Sequence, residues 1–229
     1  LPESSIPVPV SLRVRARLER AGRSFNANDN IAAFLEPGDI EAIEQEVRDH
    51  VTGLLAALVI DTANDHNTQD TAARVAKMFC REVFAGRYEA MPCVTTFPNV
   101  KHVDECYAVG PISVRSSCSH HMVPIMGQAW IGIVPAERLI GLSKFNRLTE
   151  WIMARPQIQE EAAEQLADAI EAQVTPRGLG VIIRAKHFCC AWRGVRDASE
   201  MTTSVLRGVF KTDHSARAEL LSLIAGMGY

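Results

Sequence analysis

No apolar run in this 229-residue chain approaches the ~20 residues that a membrane span requires. The basic surplus of a nucleic-acid binder is also missing: 24 Lys and Arg stand against 27 Asp and Glu, for a formal net charge of −3. Neither G-x-G-x-x-G nor G-x-x-x-x-G-K-[ST] occurs, so any phosphate must be held by side chains rather than by a glycine loop. There is no internal repeat and no low-complexity segment. Six cysteines in this length do not make a disulfide scaffold. The amino end has no apolar signal core, because Leu12 to Leu18 alternates apolar with basic residues; a chain opening on Leu1 is expected to lack its native start. What is present is ordinary globular composition, 47% hydrophobic and 22% charged, with length for one large domain or a domain with an appendage.

The chemistry is concentrated in two short windows, Ser116 to His121 and Lys186 to Cys190, which hold three thiols and three imidazoles. The other cysteines (Cys80, Cys93, Cys106) and histidines (His50, His66, His102, His214) are scattered. Thiolate and neutral imidazole are preferred zinc ligands, and their clustering suits reduced thiols in the cytoplasm. Cys118 and His121 are three apart and would face opposite ways on a flat strand, so one ion needs a turn or bulge there. A third ligand from the second window completes a Cys/His/Cys set with one position open, the pattern of a catalytic rather than a structural zinc. Against this stands the plain alternative that a Cys is a small buried hydrophobe and a His pair a surface feature.

In chain order, Pro2, Pro7 and Pro9 disfavour helix, and residues 1–36 read as a partly flexible N-terminal arm; Ser11 to Ala21 suits a short basic helix or, preferably, a mobile arm that docks on a partner. Residues 37–92 read as a helical region. Its first helix starts at Pro37-Gly38-Asp39 with Asp39 as N-cap and carries Ile43, Val47, Val51, Leu54, Leu55 and Leu58 on one face. Its second runs from Thr71 to Ala85 behind Asp70, with Val75, Met78, Phe79 and Val83 inward and Arg74 and Lys77 on another face. From residue 93 to 229 the pattern turns to strands: Val94 to Phe97, Cys106 to Val109, Ile112 to Val114, Ile125 to Val134, Leu179 to Ala185 and Met201 to Phe210. Helices fall at Leu142 to Ala154, on the stripe Ile158, Ala162, Leu166, Ile170 and Val174, and at Ser215 to Ala225. This order predicts an α+β fold, with an antiparallel sheet covered on one face by a helix pair.

Five blocks then carry a resemblance: Cys118-Ser119-His120-His121; Ile140 to Arg147; Arg155 to Glu160; His187-Phe188-Cys189 with Arg193-Gly194; and Arg74 to Met78. From about residue 39 onward the chain resembles GTP cyclohydrolase I, a zinc enzyme that opens the guanine ring of GTP and recloses it as dihydroneopterin triphosphate with release of formate. The resemblance implies a tunnelling fold, with a four-stranded antiparallel sheet, two helices on one face and helices before it, making 93–229 the catalytic domain. It also implies a cytoplasmic homodecamer with active sites between subunits, acting on GTP and not on nucleic acid or membranes.

Carried over residue by residue, the resemblance assigns zinc to Cys118, His121 and Cys189, proton transfer to His120 and His187, and guanine binding to Gln159 and Glu160. It places Ser143, itself counted among the catalytic groups, around the triphosphate with Lys144, Arg147, Arg74, Lys77 and Arg193. Taken singly, Lys144 and Arg147 also suit a solvated helix face, and Gln159-Glu160 a polar first turn favoured by the helix dipole. Ser119 departs from the family's usual Glu beside the zinc Cys. It motivates one alternative, a relative that stops at ring opening or takes another purine nucleotide; a catalytically silent zinc-binding homologue is a further reading. Whether the product feeds folate, another pterin or a deazapurine is left open, as is any role for Cys190.

Overall fold

The structure is a computed structural model in which residues 8–228 are described; the reading of Pro2 and Pro7 as arm lies outside them. The chain divides into two compact units between Ala90 and Met91.

The first unit is helical. Its elements are α1 (Val10–Arg20), a 3-10 turn (Ala32–Phe34), α2 (Asp39–Ala57), α3 (Thr71–Lys77), a π-helical turn (Met78–Val83) and α4 (Ala85–Tyr88). Within the arm expected up to residue 36, Val10–Arg20 is thus a formed helix. Val10, Val14 and Leu18 recur every fourth residue and are buried with Ile31, Ile43 and Cys80. Arg17 clamps this helix electrostatically: it pairs with the buried carboxylate of Asp39 and lies 3.3 Å from Glu36. Asp39 is the first helical residue rather than the cap. Gly38 holds that position in the left-handed region (φ 90°), while the Asp39 carboxylate accepts the N–H of Glu36 at 2.9 Å.

The helix expected from Thr71 to Ala85 is broken by the π-turn. Its buried stripe is Ala72, Ala76, Cys80 and Phe84, whereas Val75, Met78, Phe79 and Val83 are only partly covered. Small side chains let that stripe approach its neighbours closely, which outweighs the larger apolar groups beside it. On α2, Ile43 and Leu55 are buried but Leu54 and Leu58 remain exposed.

The second unit is mixed α+β. Two short strands, β1 (Thr96–Pro98) and β4 (Arg138–Ile140), form an antiparallel pair of their own. The main sheet contains β2 (Tyr107–Cys118), β3 (Pro124–Val134), β5 (Pro156–Gln157), β6 (Gly178–His187) and β7 (Glu200–Gly208), in the order β5-β2-β3-β6-β7. All its pairings are antiparallel except the two-residue parallel contact of β5 with β2. The expected strands at Cys106 to Val109 and Ile112 to Val114 are one strand, β2, whose register shifts between Val109 and Ile112, where Pro111 has no N–H to give the ladder. The expected strand from Met201 to Phe210 stops at Gly208, and Val209–Thr212 turns as the short helix α8.

Between β3 and β6 the chain makes α5 (Leu142–Met153) and α6 (Gln159–Val174). Phe145, Leu148, Ile152, Leu166 and Ile170 from these helices are buried with Ile131, Ile133, Val181 and Ile183 of the sheet. Alternate residues face the other way: Trp130 and Ile182 pack with Phe210 of α8 and with Leu220 and Ile224 of α9 (His214–Ala225). The sheet is therefore covered on both faces. Gly132 and Gly180 are register partners, and a Cβ on either would stand 2.0 or 2.6 Å from a Leu220 methyl, so the bare backbone makes the seat for α9.

Candidate active site

Register brings the two cysteine–histidine windows together. Ile125 of β3 pairs with Ser116 of β2 on one side and with His187 of β6 on the other, so both windows emerge at the same end of the sheet. At Cys118 the strand reverses. Its N–H donates to Val123 O and its carbonyl accepts from Met122 N–H, both at 2.8 Å, and Met122 takes φ 54°. This is the turn that a shared metal requires of Cys118 and His121. The following segment braces it: Ser119 N–H donates to Gln157 O at 3.0 Å, and Ser116 Oγ to Arg155 O at 3.2 Å. Beyond His187 the chain winds into the short helix α7 (Phe188–Ala191), so Cys189 and Cys190 are not on a strand.

One potential ligand atom from each of Cys118, His121 and Cys189 lies within 4.8 Å of the others. Tetrahedral zinc with Zn–S of about 2.3 Å separates its sulfur ligands by about 3.8 Å, so a small contraction suffices. Cys118 is buried, Cys189 half-buried and His121 exposed, which leaves the cluster open on the histidine side. The donors fit zinc in chemistry and number. Burial first, and then the neighbouring Cys118 and Cys190, push the Cys189 thiol up to about 11; a bound cation reverses this by favouring the thiolate.

The histidines around the cluster are separately held. His120 Nδ1 lies 3.7 Å from Cys118 Sγ, and the His120 and His121 rings stand edge to face with centroids 6.4 Å apart. Arg193 Nη1 donates to His121 Nε2 at 2.8 Å. His187 Nε2 lies 2.8 Å from Gln159 Oε1, and burial lowers the His187 pKa from its ordinary value against the opposing charge of Glu160. Glu160 and Glu161 are exposed in the first turn of α6, where the helix dipole favours anions. Gln159, by contrast, is 2% exposed.

The remaining candidates lie on other elements. Ser143, Lys144 and Arg147 are on the first turns of α5, with Ser143 and Arg147 exposed. Arg74 and Lys77 are exposed on α3 of the helical unit, Arg74 within 3.4 Å of Asp70. Motif reading gave no hint of Gln157 or Thr203. The first meets the metal turn through its backbone carbonyl, and the second meets Gln159 through a hydroxyl on β7. A backbone contact leaves no trace in residue type, so only the β2–β5 register reveals the first.

The family model for GTP cyclohydrolase I matches residues 47–225. GTP cyclohydrolase 1 of Yersinia enterocolitica is 36% identical over 192 residues, 83% of this chain and 87% of that protein. The protein of the same name from Aeromonas hydrophila is 36% identical over 214 residues, 93% of this chain and 95% of its own length. That of Shewanella amazonensis is 38% identical over 183 residues, 79% and 84% respectively. Among solved structures, the apo form of the archaeosine synthase QueF-Like matches with a TM-score of 0.36 and 13% identity, over 52% of this chain and 97% of that one, a likeness too low to assign a fold.

Proposed function

The chain belongs to the GTP cyclohydrolase I family and is a hydrolase of that type; we propose that it works with zinc held by Cys118, His121 and Cys189. The observation that carries this is the convergence of those three donors at one end of the sheet. Zinc bound there supplies Lewis acidity that brings the pKa of water toward neutrality, as hydrolysis at C8 of guanine requires.

The residues have distinct tasks. The Glu160 carboxylate accepts both the N1 and the amino hydrogens of guanine, a bidentate match. Lys144, Arg147 and Arg193, with Ser143, surround the triphosphate in place of a glycine loop; Arg74 and Lys77 of α3 are assigned to the same group on the resemblance alone. His120 and His187 move the protons. One delivers a proton to a purine nitrogen as its bond to C8 opens; a second water cleaves the remaining C8–N bond and releases formate, and the freed amine condenses with the ribose-derived carbonyl, expelling water, to reclose the ring as the pterin.

Assembly is part of the proposal. Among the described residues β7 pairs only with β6, and β2 pairs only with β3 until its last two positions. Two open edges on an antiparallel sheet suit strand addition between copies, in keeping with a tunnelling fold and a homodecamer with shared active sites. No described helix is long and apolar enough to cross a membrane, and a cytoplasmic location accords with free thiols throughout.

Purified protein incubated with GTP should yield neopterin fluorescence after oxidation, together with one zinc per chain. No nucleotide consumption by zinc-replete protein would overturn the reading. Ser119 favours one alternative, a relative that stops at ring opening, and product mass separates it: a formylated, ring-opened nucleotide in place of the pterin.

A further inference from the structure

Gln159, which the resemblance assigns to guanine, makes its own set of hydrogen bonds within the protein. The residue is 2% exposed. Its Nε2 lies 3.0 Å from Ile183 O, 3.1 Å from Met201 O and 3.1 Å from Thr203 Oγ1, so two hydrogens are already shared among three acceptors. Its Oε1 faces His187 Nε2 at 2.8 Å. Both hydrogens of this amide are thus engaged within the protein, and its oxygen faces the imidazole.

These bonds also fix which way the amide points. Ile183 O and Met201 O are backbone carbonyls and can only accept. Reversing the amide would set oxygen against both, leaving them unpaired in a buried site. The Gln159 oxygen must therefore face the imidazole, and an oxygen that only accepts requires a hydrogen on His187 Nε2. In the neutral ring the lone pair is then confined to Nδ1.

We infer that Gln159 is a positioning residue: it holds His187 in the Nε2–H tautomer and at one ring angle, so that Nδ1 is the nitrogen that exchanges protons with the substrate. The anchor is the β6–β7 ladder, since Ile183 pairs with Thr203 and Ala185 with Met201. Gln159 carries that rigidity from the sheet to the ring, in the way that partners behind a functional histidine set its tautomer.

The kinetic test rests on the proposed hydrolysis of GTP; the spectroscopic one does not. In zinc-loaded protein with 15N-labelled histidine, magic-angle-spinning NMR should assign a protonated Nε2 and an unprotonated Nδ1 to the signal that disappears in His187→Asn. Gln159→Met should show a mixture of tautomers. In kinetics, Gln159→Met should lower kcat about 100-fold, within the roughly 10²–10⁴ that general acid–base groups contribute, with KM for GTP changed less than about twofold. Gln159→Glu, which keeps an oxygen toward His187 and as the protonated acid still offers an O–H to the Ile183 and Met201 carbonyls, should recover kcat to within about tenfold of the parent. A protonated Nδ1 in the parent protein, or a KM raised tenfold or more at unchanged kcat, would overturn the inference. If Gln159→Met fails to retain zinc, the parent spectrum and Gln159→Glu decide the matter.

Discussion

Arg193 Nη1 donates to His121 Nε2 at 2.8 Å, placing a guanidinium against the exposed member of the candidate metal set. A metal on either ring nitrogen ends this bond. On Nε2 it takes the lone pair; on Nδ1 it moves the ring hydrogen to Nε2, which can then no longer accept. Metal binding therefore releases Arg193, and a released guanidinium is free for an anionic ligand. Arg193→Ala should hold zinc as tightly as the parent or up to about fivefold more tightly, since an exposed hydrogen bond of about 1 kcal/mol no longer competes. It should also raise KM for GTP. Competition against a chromophoric chelator, with steady-state kinetics, checks both halves.

The edge-to-face arrangement of His120 and His121 predicts different failures for the two. His121→Ser and Cys118→Ala should both lose zinc and all turnover, because a ligand is gone. His120→Ser should keep a full equivalent of zinc and still bind GTP, while losing roughly 10²–10⁴ in rate and accumulating hydrated or formylated material. Elemental analysis beside GTP consumption is decisive. Zinc lost from the His120 variant and kept by the His121 variant would reverse the two roles.

Glu160→Gln should lose most GTP turnover. An amide cannot accept both guanine hydrogens, and a mismatch covered by the base costs about 1–3 kcal/mol. The same change also removes the charge that opposes the lowering of the His187 pKa. Isothermal titration with GTP and turnover assays would expose a clamp located elsewhere if both stayed normal.

The helical unit should be acid-sensitive through Asp39. Burial works to raise its pKa, but the Glu36 N–H and the Arg17 guanidinium outweigh it, and the net direction is below the ordinary 3.8. A carboxylate lowered on folding contributes stability that is present above its unfolded value and is lost as pH falls through the folded one. Asp39→Asn should cost about 1–3 kcal/mol at neutral pH, because it leaves the largely buried Arg17 with only the exposed Glu36 as its carboxylate partner. It should also flatten the fall in stability below about pH 4. Denaturant melts at pH 3 and pH 7 test the sign.

Local periodicity accounts for what the sequence revealed of the fold. The Ala162, Leu166, Ile170, Val174 stripe is buried as its spacing implies, and the helix carrying it ends where Pro176 and Gly178 forbid more. Non-local features stayed hidden. Val10, Val14 and Leu18 looked like an arm because three prolines precede them and arginines flank them, and only their packing with Ile31, Ile43 and Cys80 makes them a helix in a core. The second cover of the sheet depends on Gly132 facing Gly180, a match between strands far apart in sequence. At the site, the spacing of Cys118 and His121 was readable and the β3–β6 register then brings Cys189 to them, but the hydrogen bonds that tie Gln159 to β6, β7 and His187 are visible only in three dimensions.

The seam between β3 and β6 also sets an order of events in folding. The β2–β3 hairpin closes across a turn of a few residues, while β6 reaches β3 only after α5 and α6 have been made. Short closures are fast, and pairings across long separations come late. Cys118 and His121 lie at the early hairpin and Cys189, about seventy residues on, arrives with the late strand. A half-folded chain thus offers a cation two ligands, and a chain whose β6 has docked offers three. On the proposed zinc site, capture of the ion would act as a ratchet on this late pairing, because the complete donor set exists only after that step, and binding would oppose its reversal.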